Sequence, residues 1–146
     1  MTTKRFVGTV AAAFLVSQIL AIAIHGFILA SDYAPFYGNL LRPVSNEGSW
    51  QMLLLPLSHL LFVTALVWVT SRVIGGLEGS TLVRGLKIGV LGWVIGQAPL
   101  WMLWYAEQPW PGSLVAKQLP LELVSSLIIG LTIASVARPK ATVARA

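Results

Sequence analysis

The stretch FVGTVAAAFLVSQILAIAIHGFIL, residues 6–29, contains no aspartate, glutamate, lysine or arginine. About 20 apolar residues in a helix span the hydrocarbon core of a bilayer. Three further stretches of similar length carry almost no charge, at residues 51–70, 86–104 and 114–137. Hydrocarbon offers the backbone no hydrogen bonds, so each stretch is expected to satisfy its own amides as an α-helix. The sequence therefore predicts an all-α polytopic membrane protein, an antiparallel bundle of four transmembrane helices.

The composition points to the same class of protein. Hydrophobic residues make up 56% of the 146 residues and charged residues 10%, whereas about 25% charged residues is typical of soluble domains. The absence of cysteine excludes disulfides and thiolate metal sites. We expect a single membrane domain over residues 1–146, ending in a short basic tail at 138–146. The net charge of +5 accompanies no nucleic-acid-binding motif, so no nucleic-acid partner is expected.

The basic residues are concentrated at one end of the four predicted helices. Eight of the ten are Lys4, Arg5, Arg72, Arg84, Lys87, Arg138, Lys140 and Arg145. The other end has only Arg42 and Lys117, in a background of four acids. Short loops rich in lysine and arginine stay in the cytoplasm. This asymmetry predicts that both termini are cytoplasmic.

Two of the predicted helices carry a stripe of small residues. The stripes are Gly85, Gly89, Gly92 and Gly96 in the third helix, and Ser126, Gly130 and Ala134 in the fourth. Spacings of three and four place the members of a stripe on one helix face, where a neighbouring backbone can approach closely. We expect the two stripes to meet, within one chain or between chains. The main functional hypothesis is therefore association in the bilayer, as a homo-oligomer or as an accessory subunit of a larger membrane complex.

Each predicted helix also carries one polar residue at a similar depth in its outer half. These residues are His25, His59, Gln97 and Glu122. Ionisable groups inside a membrane are costly and by default suggest a functional site. His25 lies on a face with Gln18 and Ala21, and Glu122 extends the small-residue stripe of the fourth helix. Both side chains are therefore expected to face the interior of the bundle.

Several chemistries fit this polar set. A histidine paired with Glu122 would exchange a proton with it. The two histidines and Glu122, with Asp32 as a further donor, are residue types that bind zinc, although no HxxxH spacing is present. His25 and His59 are also potential axial ligands of a haem. The structural alternative is interhelical hydrogen bonding, which contributes about 0.6 kcal/mol on average.

The alternative function is accordingly a small transporter or cofactor-binding membrane protein with a proton, metal or haem site in the outer half of the bundle. No cofactor follows from the residues themselves. The chain has no phosphate-binding loop in a suitable context, no nucleophile elbow and no carboxylate pair placed for catalysis. We therefore expect that the protein is not an enzyme.

Four short segments resemble small bacterial membrane proteins with four helices and no assigned activity. The segments are His25-Gly26-Phe27-Ile28-Leu29, Asp32-Tyr33, Arg42-Pro43 and Gly85-Leu86-Lys87-Ile88-Gly89. The resemblance covers most of the chain. It implies a multi-pass protein of the bacterial inner membrane and transfers no catalytic residue.

Overall fold

A computed structural model describes residues 1–41, 50–73 and 76–137. All the regular structure within these ranges is helical, and four helices are long and apolar enough to cross a membrane. We number them α1 (Thr3–Ile28), α2 (Leu54–Val73), α3 (Thr81–Glu107) and α4 (Gly112–Val136). The four predicted helices are thus confirmed. The predicted basic tail lies outside the described residues.

The helix bounds differ from the predicted ones by up to five residues, because a lack of charge marks the hydrocarbon and not the end of a helix. α1 begins early because the Thr2 hydroxyl caps it by accepting a hydrogen bond from the Arg5 amide. Ser80 caps α3 in the same way through the Val83 amide. The start of the predicted second helix is instead 3-10-helical, at Trp50–Leu53.

Two of the long helices contain a π-helical segment. In α1 it covers Ile22–Ile28, and in α3 it covers Trp93–Gln97. The segment in α3 ends just before Pro99, which has no amide hydrogen to continue the regular ladder. π-Helical turns are rare and frequently occur at functional sites. His25 and Gln97, two of the four predicted polar residues, both lie in these segments.

Close backbone contact joins α3 to α4 in the half of the bundle that contains Thr3 and Val136, which we call the inner half. A Cβ on Gly85 would lie 2.6 Å from Leu131 Cδ2, and one on Gly89 would lie 2.5 Å from Leu127 Cα. One on Gly130 would overlap the backbone of both glycines. The predicted meeting of the two stripes is therefore confirmed, and it occurs within one chain. Gly85 lies against Leu131 and Gly89 against Leu127. Residue numbers therefore rise along α3 where they fall along α4, so the two helices are antiparallel.

Only half of the glycine stripe faces α4, which corrects the prediction. Gly92 and Gly96 face α2, where a Cβ would lie 3.0 Å from Leu66 Cδ2 and 2.6 Å from Phe62 Cε2, respectively. The glycine stripe changes from contact with α4 to contact with α2 at the π-helical segment, Trp93–Gln97. The stripe thus brings α3 against two helices of its own chain.

The buried apolar residues form two clusters at different levels of the bundle. The inner core contains residues of all four helices: Ala13, Val63, Leu66, Val67, Ile88, Ile129, Ile133 and Ala134. The outer cluster joins the end of α1 and residues 29–41 to the start of α4, and contains Ile24, Leu29, Tyr33, Trp110, Leu114 and Val115. The space between these two clusters is not filled by apolar side chains, and it holds the site described below.

The contact between α3 and α4 leads to a prediction about the stability of the protein. Gly130→Ala places a methyl group against the backbone of Gly85 and Gly89, which cannot move aside as a side chain would. We expect the free energy of unfolding in detergent to fall by roughly 1–3 kcal/mol. Gly8→Ala is the matched control, because a Cβ at Gly8 meets nothing within 4 Å. An equal effect of both substitutions would contradict the packing described here.

Candidate functional site

A cavity of about 1030 Å³ lies between the inner core and the outer cluster. Each of the four long helices contributes to its wall. The four predicted polar residues, His25, His59, Gln97 and Glu122, all line it. The tertiary structure therefore brings together in one space the side chains that the sequence placed at a similar depth.

The predicted pairing of a histidine with Glu122 is present on one wall of the cavity. His25 Nε2 lies 3.1 Å from Glu122 Oε1. The Glu122 side chain is 9% exposed, whereas the His25 side chain is 35% exposed and borders the open space. The π-helical segment carries His25 near the outer end of α1, and the pair joins α1 to α4.

Tyr33 and Gln118 complete a hydrogen-bonded network around His25. The Tyr33 hydroxyl donates to Gln118 Oε1 over 2.8 Å and lies 3.0 Å from His25 Nδ1. Gln118 is completely buried, and its Nε2 is a more distant neighbour of the same His25 nitrogen, at 3.4 Å. Fully partnered networks of this kind fix the side chains that form them.

Both ring nitrogens of His25 are used by this network. Nδ1 faces the Tyr33 hydroxyl and the Gln118 amide, and Nε2 faces the Glu122 carboxyl. The imidazole and the carboxyl lie within hydrogen-bond distance of each other, which is the geometry that proton exchange between two such groups requires.

Tyr33 belongs to a segment that covers the outer mouth of the cavity, residues 30–41, which we call the outer cap. The cap is α-helical at Ala30–Tyr33 and 3-10-helical at Ala34–Phe36. Lys117 Nζ of α4 lies 2.7 Å from Asp32 Oδ1, and the rings of Phe36 and Trp110 pack edge to face. The cap is thus attached to the start of α4 and to Trp110 just before it.

Burial in the cap raises the pKa of Tyr33 to about 12, because the phenolate would lose its hydration. The hydrogen bond to Gln118 acts in the opposite direction, and the nearby Glu122 adds to the increase. The Tyr33 hydroxyl therefore stays protonated and keeps its role as donor throughout the neutral range.

Three other polar residues on the cavity wall have no hydrogen-bond partner within residues 1–41, 50–73 and 76–137. They are His59 of α2, Gln97 of α3 and Gln18 of α1, whose Nε2 is buried. The cavity wall therefore carries two kinds of polar group, since the His25 network is complete in these ranges and the other three residues are unpaired there.

The donor geometry does not favour the predicted metal and haem alternatives. Among the described residues, no three histidine or carboxylate side chains converge as a metal site. Asp32, considered as a zinc donor, is paired with Lys117 outside the cavity. His25 uses both ring nitrogens in the network, so axial ligation of haem would require it to leave Tyr33 or Glu122.

Sequence reasoning missed Tyr33 and Gln118 as members of the site. A signal for Gln118 was present, because it precedes Glu122, Ser126 and Gly130 at steps of four and so lies on the same face of α4. No comparable signal exists for Tyr33. Its position depends on the path of the outer cap across the bundle.

Comparison with models of known families, with curated proteins and with solved structures finds no match to this chain. The resemblance to small bacterial membrane proteins stays a prediction. The same holds for the expected partners and for the expectation that the protein is not an enzyme.

The buried hydroxyl of Tyr33 is testable by titration of tyrosinate absorbance. We expect the wild-type protein and Tyr33→Phe to gain the same absorbance up to about pH 11, because Tyr33 ionises only near pH 12. Since the folded-state pKa is raised, the stability contributed by Tyr33 is complete below pH 10 and is lost as the pH rises through 12. An extra ionisation near pH 10 in the wild type, absent from Tyr33→Phe, would contradict this environment.

Proposed function

We propose that this protein binds a small lipophilic molecule in the outer half of its helical bundle. The observation that carries the proposal is the cavity of about 1030 Å³, lined by one predicted polar residue from each long helix. Ligand sites are concave, mostly apolar and furnished with a few polar groups, and their usual volume is about 300–1,000 Å³. The volume of this cavity lies at the upper end of that range.

The packing around the cavity supports this proposal. Protein interiors are close-packed, and voids larger than a water molecule are few. The inner core and the outer cluster both follow that rule, with side chains such as Val63 and Leu29 almost completely buried. A bundle without a ligand would be more stable if side chains filled the space between the two clusters. A molecule bound in the cavity would explain why the space is left open.

The contact between His25 and Glu122 adds a second property. An imidazole and a carboxyl 3.1 Å apart are close enough to exchange a proton. This contact supports the proton-linked alternative that the sequence suggested.

Association as a homo-oligomer or an accessory subunit stays a prediction, but its main motivation is weaker. The glycine stripe prompted it. Gly85 and Gly89 are covered by α4, and Gly92 and Gly96 by α2. These glycines therefore leave no small-residue face for a second chain, and we do not base a function on them.

Native mass spectrometry of the protein released gently from its host membrane tests ligand binding and chain number together. We expect a reproducible bound mass on the wild type. Ala21→Phe, which places a ring in the cavity, should remove that mass. Ala11→Phe is the matched control, because Ala11 is exposed on the same helix and does not line the cavity. Wild-type protein without any bound mass would overturn the proposal, and a mass retained by Ala21→Phe would place the ligand elsewhere.

We further propose a location in the bacterial cytoplasmic membrane with both termini inside. Lys4, Arg5, Arg72, Arg84 and Lys87 all lie near the inner helix ends, which supports this orientation through the usual excess of basic residues in the cytoplasm.

The cysteine-free chain allows a direct test of this orientation with single cysteines and a membrane-impermeant maleimide. We expect Ser113→Cys to react in intact cells with a permeabilised outer envelope, because Ser113 is exposed in the first turn of α4, at its outer end. Glu78→Cys, in the loop between α2 and α3, should react only after the cytoplasmic membrane is opened. The reverse pattern would invert the proposed topology.

A further inference from the structure

The cavity wall indicates what kind of molecule it accepts, and the first indication is its free hydrogen-bond donors. The amides of Gln18 and Gln97 carry N–H groups, and a neutral imidazole at His59 carries one more. A donor left unpaired in an apolar environment is unfavourable by about 1–3 kcal/mol. These groups lie on three different helices around one space. They are suited to a ligand that offers acceptor oxygens on more than one side.

The second indication is the lack of an unpaired charged side chain among the described residues of the wall. In the described part of the chain, no lysine or arginine lines the cavity, and Glu122 is its single acid. That acid is already paired with His25. An anionic headgroup would find no cation here, and a cation would have to compete with His25 for the carboxylate. A neutral ligand meets neither obstacle.

The third indication is the aromatic part of the wall. Trp101 and Trp104 pack edge to face with ring centroids 5.2 Å apart, and Trp101 also packs against Trp110 at 6.5 Å. All three indoles line the cavity, and Phe62 lies below them. Flat aromatic faces favour a flat ring through offset or edge-to-face contact.

The fourth indication is the apolar edge of the cavity at α2 and α3. The two helices meet through Phe62 and Leu66 at Gly92 and Gly96. Further out, Leu55 of α2 and Leu100 of α3 line the cavity, and both keep a large exposed surface. A hydrocarbon tail could leave the cavity between them and lie in the lipid.

From these four features we propose that the ligand is an isoprenoid quinone, a neutral flat ring that carries carbonyl oxygens and a long hydrocarbon tail. Its carbonyls accept hydrogen bonds from His59 and Gln97, its ring lies against the tryptophans, and its tail passes between α2 and α3. This inference rests on the proposed function, because it identifies the class of molecule for the same cavity.

A binding titration tests the ligand class. The protein is placed in quinone-free phosphatidylcholine nanodiscs and titrated with a benzoquinone that carries one isoprene unit, while tryptophan fluorescence is followed. Quinones quench tryptophan, so the wild type should show a saturable phase above the linear quenching from quinone dissolved in the lipid. Loss of one hydrogen bond in His59→Leu or Gln97→Leu should raise the dissociation constant about tenfold.

Matched variants separate a lost donor from a disturbed fold. His59→Gln keeps an N–H group and should bind more tightly than His59→Leu. Thr64→Val lies on the same helix as His59 but does not line the cavity, and should bind as the wild type does. Ala21→Phe should lose the saturable phase. Equal binding by the wild type, His59→Leu and Gln97→Leu would overturn the assignment of these two residues.

Two further probes distinguish failure of the ligand class from failure of the proposed function. Tetraphenylphosphonium tests for a lipophilic cation, and phosphatidylglycerol tests for an anionic lipid. Saturable binding of either probe, sensitive to Ala21→Phe and without saturable binding of the quinone, would overturn the quinone proposal and retain the cavity as a ligand site. No saturable binding of any probe, together with no bound mass on the native protein, would overturn both.

Discussion

The contact between the backbones of α3 and α4 is the constraint on which the rest of the structure depends. Gly85, Gly89 and Gly130 let the two helices touch in the inner half, and the same face of α3 then receives Phe62 and Leu66 of α2. Beyond Gly96 the residues of α3 that line the cavity are large, including Leu100, Trp101 and Trp104. Small residues on one half of a helix and large ones on the other bring its neighbours together at one end and separate them at the other. The cavity lies where they separate.

Hydrocarbon imposes a second condition, because it offers polar groups no water. The structure meets this condition on one side of the cavity, where His25, Glu122, Gln118 and Tyr33 bind one another. On the other side, His59 and Gln97 line the cavity without a hydrogen-bond partner in the described part of the chain. A purely structural network would pair its members across the space. The difference between the two walls is the main reason to treat the cavity as a binding site and not as a packing fault.

The outer cap connects this site to the surface of the bundle. It holds Tyr33 in the network, and Asp32 and Phe36 attach it to the start of α4 and to Trp110 just before it, through an ion pair and a ring contact. The exposed ion pair contributes little to stability by itself. The hydroxyl of Tyr33 is buried away from water, so its hydrogen-bond partners must come from the network. The position of His25 therefore depends on a segment outside the membrane spans.

The sequence by itself determined that four helices form, since charge-free stretches of about 20 residues have few other solutions in lipid. Steps of three and four also indicated that the small-residue stripes, His25 and Glu122 face inwards. The sequence indicated that one of the two histidines pairs with Glu122 and left open which one. It did not determine the helix ends, because capping by Thr2 and Ser80 extends helices beyond the apolar stretch. Only the tertiary structure decided that the glycine stripe is shared between α4 and α2, that Tyr33 reaches His25, and that His59 and Gln97 have no hydrogen-bond partner among the described residues. These outcomes depend on the π-helical turns and on how far apart neighbouring helices lie, and neither quantity is encoded in a local residue pattern.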